Sequence, residues 1–530
     1  MSLQFHNQLT KTVDPFTSIE QGYVRLYTCG PTVYNYLTVG NWTAYIYWDT
    51  LVRVLQANGN EVTRVMNITD VGHLVSDADD GEDKLEKGAK REGKTAWEVA
   101  KFYADDFMAG MSALNLITPT HMPYATDYIL QQLELIRILQ EKGFTYQIDD
   151  GIYFDTLKFP TYANFAGLDL EAQKAGARVE FNTKKRNPSD FALWKFSPKD
   201  ETRDMEWETP DDLLEKASTS LPKSSETASR RASIRLTPAE TRAADVSEDL
   251  VASPGFSARM GFPGWHLECS AMAMSLLGET IDIHTGGIDH IPVHHTNEIA
   301  QSEAATGKKF SNFWIHNNHL KVDGTKISKS LGNGYTLSDL EEKGYSPLDL
   351  RLFVLQSHYR TESNFTFENL TAAANRRRNW RNIAALRHQI HDTLKDVSAT
   401  EEDSKTVSLY AASEKVLGAI SDDLNTPEAL AIIDDAFDIV ASSKLSTLHR
   451  HALVSFLETI DELLGLTLLK TTPDIDDDQK RLIIERTRVR EQKDYAKSDE
   501  LRDELEKSGV TVRDTASGSI WEYSSQEYAL

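Results

Sequence analysis

Val24-Arg-Leu-Tyr-Thr28, Ala44–Ala57 (AYIYWDTLVRVLQA) and Glu61–Ile68 (EVTRVMNI) are the stretches whose reading decides the fold. The first is short and apolar and runs into Cys29-Gly30-Pro31. In the second, apolar residues recur at helical spacing, and Asn58-Gly59-Asn60 supplies the stop. The third returns to a β-branched, strand-like pattern. Strand, helix and strand in succession make a βαβ unit, which predicts an α/β protein built on a parallel sheet. Ligands of such open sheets sit beyond the carboxyl ends of the strands. Cys29 and Thr69-Asp70 lie just past two of those ends, so they are candidate site residues.

Downstream, Asp127–Lys142 is amphipathic at helical spacing and stops at Gly143, and Phe144–Phe154 alternates around Asp150-Gly151 as a hairpin does. This block reads as an insertion between two halves of the sheet domain. From Glu208 to Gly255 there is no aromatic residue, and Ser, Thr, Ala and Arg crowd the stretch. Such a composition buries too little apolar surface to offset its ordering entropy, so a disordered loop is expected. Arg230–Ser233 within it reads as surface filler or a modification site. Ile281–His284 and Phe313–Val322 are strand-like. Beyond Pro347 the chain turns helical, with periodic runs at Leu370–Leu394, Leu409–Ile420, Pro427–Ala441 and Leu448–Leu464. Thr471–Asp478 reads as a linker. After it come one charged helix and a strand-rich end near Trp521.

The 530 residues exceed one ordinary core, so about three to four domains are expected. Two cysteines exclude a disulfide scaffold and suit a reducing compartment. A formal charge of −24 argues against general affinity for DNA or anionic membrane, and any nucleic-acid partner would need a local basic patch. No apolar run reaches membrane-span length, and MSLQFHNQLTKTV lacks the apolar core of a signal peptide. A cytoplasmic multidomain enzyme is the expectation.

Three constellations could carry chemistry. Cys29, Cys269, His294 and Glu298 would make a four-coordinate zinc site of mixed softness, His294 and Glu298 sharing a helix face at i, i+4. Alternatively they are a surface pair and two small core thiols, and spacing alone favours this plainer reading. Lys326-Ile-Ser-Lys329-Ser330, behind Asp323-Gly324, is either a cationic loop able to grip a polyphosphate or plain surface. Thr38-Val-Gly40-Asn41 opens a helix whose amino end favours anions, though one glycine before a helix is commonplace. Asp77–Gly81 imitates a calcium loop with its glycine misplaced. Of the histidines at 284, 290, 294, 295, 316 and 319, one is expected to ligate a metal and the others to bond substrate or backbone.

Tyr27-Thr-Cys-Gly-Pro-Thr-Val-Tyr34, Asn67-Ile-Thr-Asp70, Gly264-Trp-His-Leu-Glu-Cys-Ser-Ala-Met272, His294-His-Thr-Asn-Glu298 and Lys326–Ser330 stand in one order along the chain. That order closely resembles the cysteinyl-tRNA synthetases, a class I aminoacyl-tRNA synthetase family. The likeness runs to the tail, where Asp494–Asp499 through Trp521 looks like the family's anticodon-binding domain. The resemblance implies a Rossmann-like catalytic domain at 1–119 and 259–320 with a connective insertion domain at 120–209. The polar insertion at 210–258, read as disordered from its composition, departs from the family, and a signature-loop and stem-contact region is implied at 321–375. A helical bundle at 376–470 and a linker with anticodon-binding domain at 471–530 complete it.

It further implies that Cys29, Cys269, His294 and Glu298 hold Zn²⁺, which binds the substrate thiolate and selects against serine. By the same resemblance Lys329 contacts ATP with Lys326 assisting, and the nucleotide pocket runs from Pro31 through Thr38 and Gly40 to Asn41. Gly30, Thr69, Trp265 and Asp289 would line the amino-acid pocket. The implied partners are L-cysteine, ATP with Mg²⁺, and tRNA(Cys), acting on a monomer. Thr38 departs from the family, which has histidine there; threonine cannot carry a positive charge near phosphates. Within the fold the rival is a cysteine ligase acting on an amino-sugar, which would lack the tail; from another class, a non-catalytic tRNA-binding relative. A tRNA backbone contact is expected at Arg376-Arg377-Arg378 and Arg381, and the tail's Arg481, Arg486, Arg488, Arg490, Lys493 and Lys497 are either a second contact or a solvated mixed-charge face.

Overall fold

The computed structural model describes residues 3–71, 84–169, 184–198, 203–214, 259–328, 331–389, 404–443, 449–515 and 518–524. Asp77–Gly81, Lys329 and the polar insertion beyond residue 214 lie outside them. Four parallel strands form the central sheet: β1 (Tyr23–Thr28), β2 (Glu61–Met66), β3 (Ile281–Gly287) and β4 (Ser311–Asn317). Their spatial order is β4-β3-β1-β2. Helix α1 (Val39–Ala57) crosses from β1 to β2, and α2 (Trp265–Leu277) and α3 (Thr296–Thr306) flank β3. The chain winds one way from β1 and the other way from β3, so a crevice opens between these two neighbours at their carboxyl ends.

Helix α1 is buried almost all round, including Trp42, Tyr47, Trp48 and Leu51. A helix apolar on every face belongs in the interior, and Tyr47 accordingly donates its hydroxyl proton to the Val354 and Ser357 carbonyls. Its one carboxylate, Asp49, is fully buried between two arginines, Arg53 of the same helix and Arg351. Arg53 Nε donates to Asp49 Oδ2 at 2.6 Å, and Arg351 Nη2 donates to the same oxygen. Arg351 also donates to the Leu114 and Leu464 carbonyls, at 2.9 and 2.6 Å. One buried cluster thus joins α1 to the helices Pro347–Leu355 and Arg450–Leu464.

The insertion carries a five-stranded antiparallel sheet, ordered Thr145–Ile148, Gly151–Phe154, Phe191–Phe196, Met260–Pro263 and Trp207–Glu208. Its core of Ile136, Leu139, Phe154 and Trp194 continues onto Leu267, Ala271 and Ala300 of α2 and α3. The strand-like run Phe313–Val322 breaks at Asn318-His319, and Leu320–Val322 joins a separate small sheet with Thr325–Lys326 and Ser363–Phe365. The tail's charged segment is two helices, Asp477–Glu491 and Tyr495–Lys507, parted where Lys493 takes a positive φ. No helix among the described residues is long and apolar enough to cross a membrane.

On helix Phe367–Ala385, Arg376, Arg377 and Arg381 are not the expected outward contact, while Arg378 donates to Asn375 of its own helix. Arg377 is 7% exposed, and its Nε donates to Asp349 Oδ1 at 2.7 Å. Arg376 pairs with Asp434, and Arg381 donates to the Thr471 carbonyl at 2.8 Å. These guanidinium groups knit the helical region together because acidic residues of neighbouring helices, and the Thr471 carbonyl in a turn, meet them. In the tail, Arg486 is buried against Asp514, while Arg481, Arg488 and Lys497 pair with acids three residues away on their own helices.

Candidate active site

The crevice at the sheet's switch point is a cleft of about 650 Å³. It is lined by Cys29, Gly30, Pro31, Thr38, Gly40, Asn41, Thr69, Trp265, Cys269, Asp289, His294 and Lys326. Of the other candidates, Glu298 is wholly buried behind it and Lys329 lies outside the described residues.

Cys29 follows β1, and its N–H donates to the Thr285 carbonyl of β3 at 3.3 Å. Cys269 sits one turn into α2. A π-helical turn, Ile291–His295, leads into α3 and carries His294, with Glu298 in the first turn beyond. Such turns often mark functional sites. The ligand atoms of Cys29, Cys269, His294 and Glu298 all lie within 4.8 Å of one another. A tetrahedral zinc holding sulfur at ~2.3 Å and nitrogen or oxygen at ~2.0 Å needs donors about 3.3–3.8 Å apart, so the four fit with small closures. His294 Nε2 lies 2.8 Å from Glu298 Oε1, yet that oxygen makes no aligned hydrogen bond. A buried carboxylate oxygen left without an aligned bond beside an imidazole nitrogen suits two ligands of one ion.

The supporting shell is also in place. His284 Nε2 lies 2.8 Å from Glu298 Oε2, and the two Nδ1 atoms of His266 and His294 lie 3.0 Å apart. Partners of this kind fix the orientation of metal ligands. His295 Nε2 is 3.5 Å from the Cys29 sulfur, and its Nδ1 is 2.7 Å from His316 Nε2. Of the histidines expected to bond substrate or backbone, His290 and His319 line the cleft, while His284, His295 and His316 bond one another or the candidate ligands. Cys29, His284, His295 and Glu298 form a second possible ligand set, sharing two members with the first. The first set fits better, because it offers two sulfurs and faces the cleft.

Electrostatics point to a cation. Cys269 gives its thiol proton to Cys29 and is buried beside Glu298, so its thiol is pushed far above the usual range. That hydrogen bond lowers Cys29, but burial and the Glu298 charge outweigh it and leave this thiol raised as well. Burial opposes charge on His294, but Glu298 and then Cys269 overcome it, raising the imidazole to about 10. A divalent cation reverses this logic, since a coordinating thiol is deprotonated outright.

Across the cleft, α1 opens with Thr38, whose N–H and hydroxyl both donate to Asn41 Oδ1, at 2.9 and 3.0 Å. A Cβ on Gly40 would lie 2.6 Å from Ile327 Cδ1, so glycine lets the signature loop close over the helix end. Asn333 braces that loop, accepting from the Ser328 N–H at 2.9 Å and donating to the Lys326 carbonyl. Gly30 is equally constrained, as a Cβ there would sit 1.6 Å from the Asn67 carbonyl oxygen.

Sequence reasoning missed the clasp around Thr69. Asn67 Oδ1 accepts the Gly30 N–H, Asn67 Nδ2 donates to Thr69 Oγ1, and Thr69 donates to Glu268 Oε2, each within 2.9 Å. The motifs 67–70 and 264–272 contained these residues, but nothing in their spacing shows that they meet. Asp70, a candidate from its place past β2, turns from the cleft to Thr126, which donates through both N–H and hydroxyl. Burial raises its carboxyl to about 6.

The family described as tRNA synthetases class I (C) catalytic domain matches residues 15–212 and 247–375, and the cysteinyl-tRNA ligase anticodon binding domain matches 472–521. Cysteine-tRNA ligase 1 of Burkholderia lata is 39% identical over 98% of this chain and 96% of its own. The cysteine-tRNA ligase of Treponema denticola is 37% identical over 98% and 99%. Among solved structures, Mycobacterium tuberculosis methionyl-tRNA synthetase with methionyl-adenylate superposes with a TM-score of 0.57 at 13% identity, covering 85% of this chain and 93% of that one. That likeness speaks to the fold alone.

Proposed function

The chain belongs to the cysteinyl-tRNA ligase family of class I tRNA synthetases, and from that premise we propose how its cleft performs the reaction. L-cysteine is activated with ATP to cysteinyl-adenylate and passed to the 3′ end of tRNA(Cys), in the cytoplasm, by a monomer. The observation that carries this reading is the meeting of two sulfurs, an imidazole and a carboxylate on one wall of a cleft whose other wall is a helix amino end.

Cys29, Cys269, His294 and Glu298 would hold zinc. Bound there, zinc would take the substrate thiolate as an added ligand, a soft contact that the serine hydroxyl cannot make. Size and hydrogen bonds discriminate poorly between such near-isosteres. Trp265, its ring 4.6 Å from that of His294, walls the pocket on the metal side. Thr69 is held by Asn67 and Glu268, and Asp289 is exposed at the rim, where it can meet the substrate ammonium.

The substrate carboxylate then attacks the α-phosphorus of ATP, releasing pyrophosphate. The amino end of α1 would meet the triphosphate with its positive dipole end, since the Val39, Asn41 and Trp42 N–H groups are already bonded. Lys326 and Lys329, with Mg²⁺ accompanying ATP, offset charge developing on the phosphates. In the second step a terminal ribose hydroxyl of tRNA attacks the adenylate carbonyl and AMP leaves. No side-chain nucleophile is needed, because alignment of the two reactants supplies the catalysis. Cysteine-dependent pyrophosphate exchange followed by transfer to tRNA(Cys) tests the reading; exchange without transfer would turn it toward another acceptor.

Thr38 gives this chain its own signature. Its hydroxyl proton is committed to Asn41, so it presents no donor to the phosphates. Thr38→His is expected to raise the activation rate roughly tenfold, the worth of one charge-assisted hydrogen bond. An unchanged exchange rate would show that Thr38 does not limit activation.

A further inference from the structure

One helix ties the wall of the cleft to the tail. Helix Phe367–Ala385 has 19 residues and so spans about 29 Å at 1.5 Å per residue. At its start the Phe367 ring meets Tyr335 edge-on at 5.0 Å, and the Tyr335 carbonyl accepts the Val39 N–H of α1 at 2.8 Å. At its middle Arg377 is bonded to Asp349, whose helix also carries Arg351, the partner of Asp49 in α1. The strut is therefore referenced twice to the element that forms the cleft wall.

At the other end a 3₁₀ turn, Leu386–His388, delivers Gln389 to the tail hairpin of Val510–Thr515 and Gly518–Tyr523. Gln389 is 3% exposed and addresses one residue twice. The Trp521 N–H donates to Gln389 Oε1 at 3.1 Å, and Gln389 Nε2 donates to the Trp521 carbonyl at 3.3 Å. A carboxamide that gives one bond and takes one along the edge of a two-stranded sheet imitates a third strand. Ala385 packs in the tail's core with Ile483, Leu505 and Trp521, while Ile520 joins the main core. The stretch expected to be a linker is fastened too. Its Thr471, Thr472 and Pro473 carbonyls accept from Arg381, Arg387 and Tyr523. Arg387 also donates to the Leu469 and Ala384 carbonyls, at 3.0 and 2.7 Å. Domains on a free linker move relative to one another by default; this linker has its acceptors consumed.

Two contacts at a fixed spacing reinforce each other only when the partner spans both, and the tail is the segment that matches an anticodon-binding domain. We propose that this joint makes the tail a fixed gauge, with Gln389 as its positioning residue, so that the chain charges RNA whose anticodon and 3′ end stand at the matching separation. A tail set before RNA arrives also spares part of the ordering cost of binding.

The proposal rests on the tRNA-charging function proposed above, and its test separates the two. Gln389→Ala, and separately Arg387→Gln, are assayed for cysteine-dependent pyrophosphate exchange, which needs no RNA. Charging is then measured on tRNA(Cys), on a minihelix of its acceptor arm alone, and on tRNA(Cys) with one base pair added to the anticodon stem. Both variants should keep wild-type exchange and wild-type minihelix charging. On intact tRNA(Cys) their kcat/KM should fall about tenfold, carried by KM, the worth of about one buried hydrogen bond. Hydrogen exchange at the Trp521 amide should quicken in Gln389→Ala. The wild type should charge the lengthened tRNA about tenfold worse than the native one, and Gln389→Ala should close most of that gap. Equal loss on the minihelix would reduce Gln389 to holding the fold, and an unchanged gap would leave no gauge; either overturns the proposal. Absence of exchange, or of transfer to native tRNA(Cys), in the wild type would instead overturn the underlying function.

Discussion

Replacing Cys29 or Cys269 by serine is expected to strip zinc from the protein and to cut cysteine-dependent pyrophosphate exchange on the order of a hundredfold or more. Even partners that merely orient zinc ligands cost about ten- to a hundredfold when removed, and here a ligand itself is lost. Serine is close in size, so packing changes little; what disappears is a soft anionic donor. Among the described residues none of the helical half beyond Phe367 lines the cleft that holds the thiols, so it should keep its circular dichroism. Metal analysis alongside exchange checks this. Wild-type zinc and wild-type exchange in both variants would remove the thiols from the mechanism.

The second large effect is structural. Asp49→Ala is expected to cost about 3–5 kcal/mol, because it leaves Arg351 and Arg53 buried around an empty place. Burial works against the Asp49 charge, but Arg351 and then Arg53 outweigh it and hold the carboxyl below its usual range. Its contribution is therefore complete above the unfolded value, near ~3.9, and fades as pH falls toward the folded value. Since α1 carries Thr38, Gly40 and Asn41 at one end and Asp49 near its middle, the variant should melt at lower temperature and also lose activation. A melting midpoint within about 1 °C of wild type would refute the assignment, given the few degrees expected per kcal/mol.

How legible was this in the amino-acid sequence? Periodicity alone marked β1, α1 and β2, since a buried parallel strand and an all-round apolar helix leave strong local signals. Cys29 and Cys269 are far apart in the chain, and no local pattern says that they touch; the order of motifs drew them together, and the fold brings their sulfurs to one point. The Asn67–Thr69–Glu268 clasp and the embrace of Asp49 by Arg351 are contacts across long sequence separations and leave no periodic trace. Arg377 shows the reverse failure. Three arginines in a row read as a basic patch, but on a helix successive residues point about 100° apart, and the middle one meets Asp349 inside. The tail's two helices read as one because the break at Lys493 uses a non-glycine residue with positive φ, where glycine would have announced it.

The central claim is that a metal held by Cys29, Cys269, His294 and Glu298 tells cysteine from serine. The most direct measurement is zinc content of the purified full chain together with pyrophosphate exchange driven by cysteine and by serine. The account predicts about one zinc per chain and a preference for cysteine on the order of 10³-fold or more, beyond what a pocket without such chemistry achieves between near-isosteres. Strong discrimination by protein free of zinc, or comparable exchange with serine by protein full of it, would contradict the account.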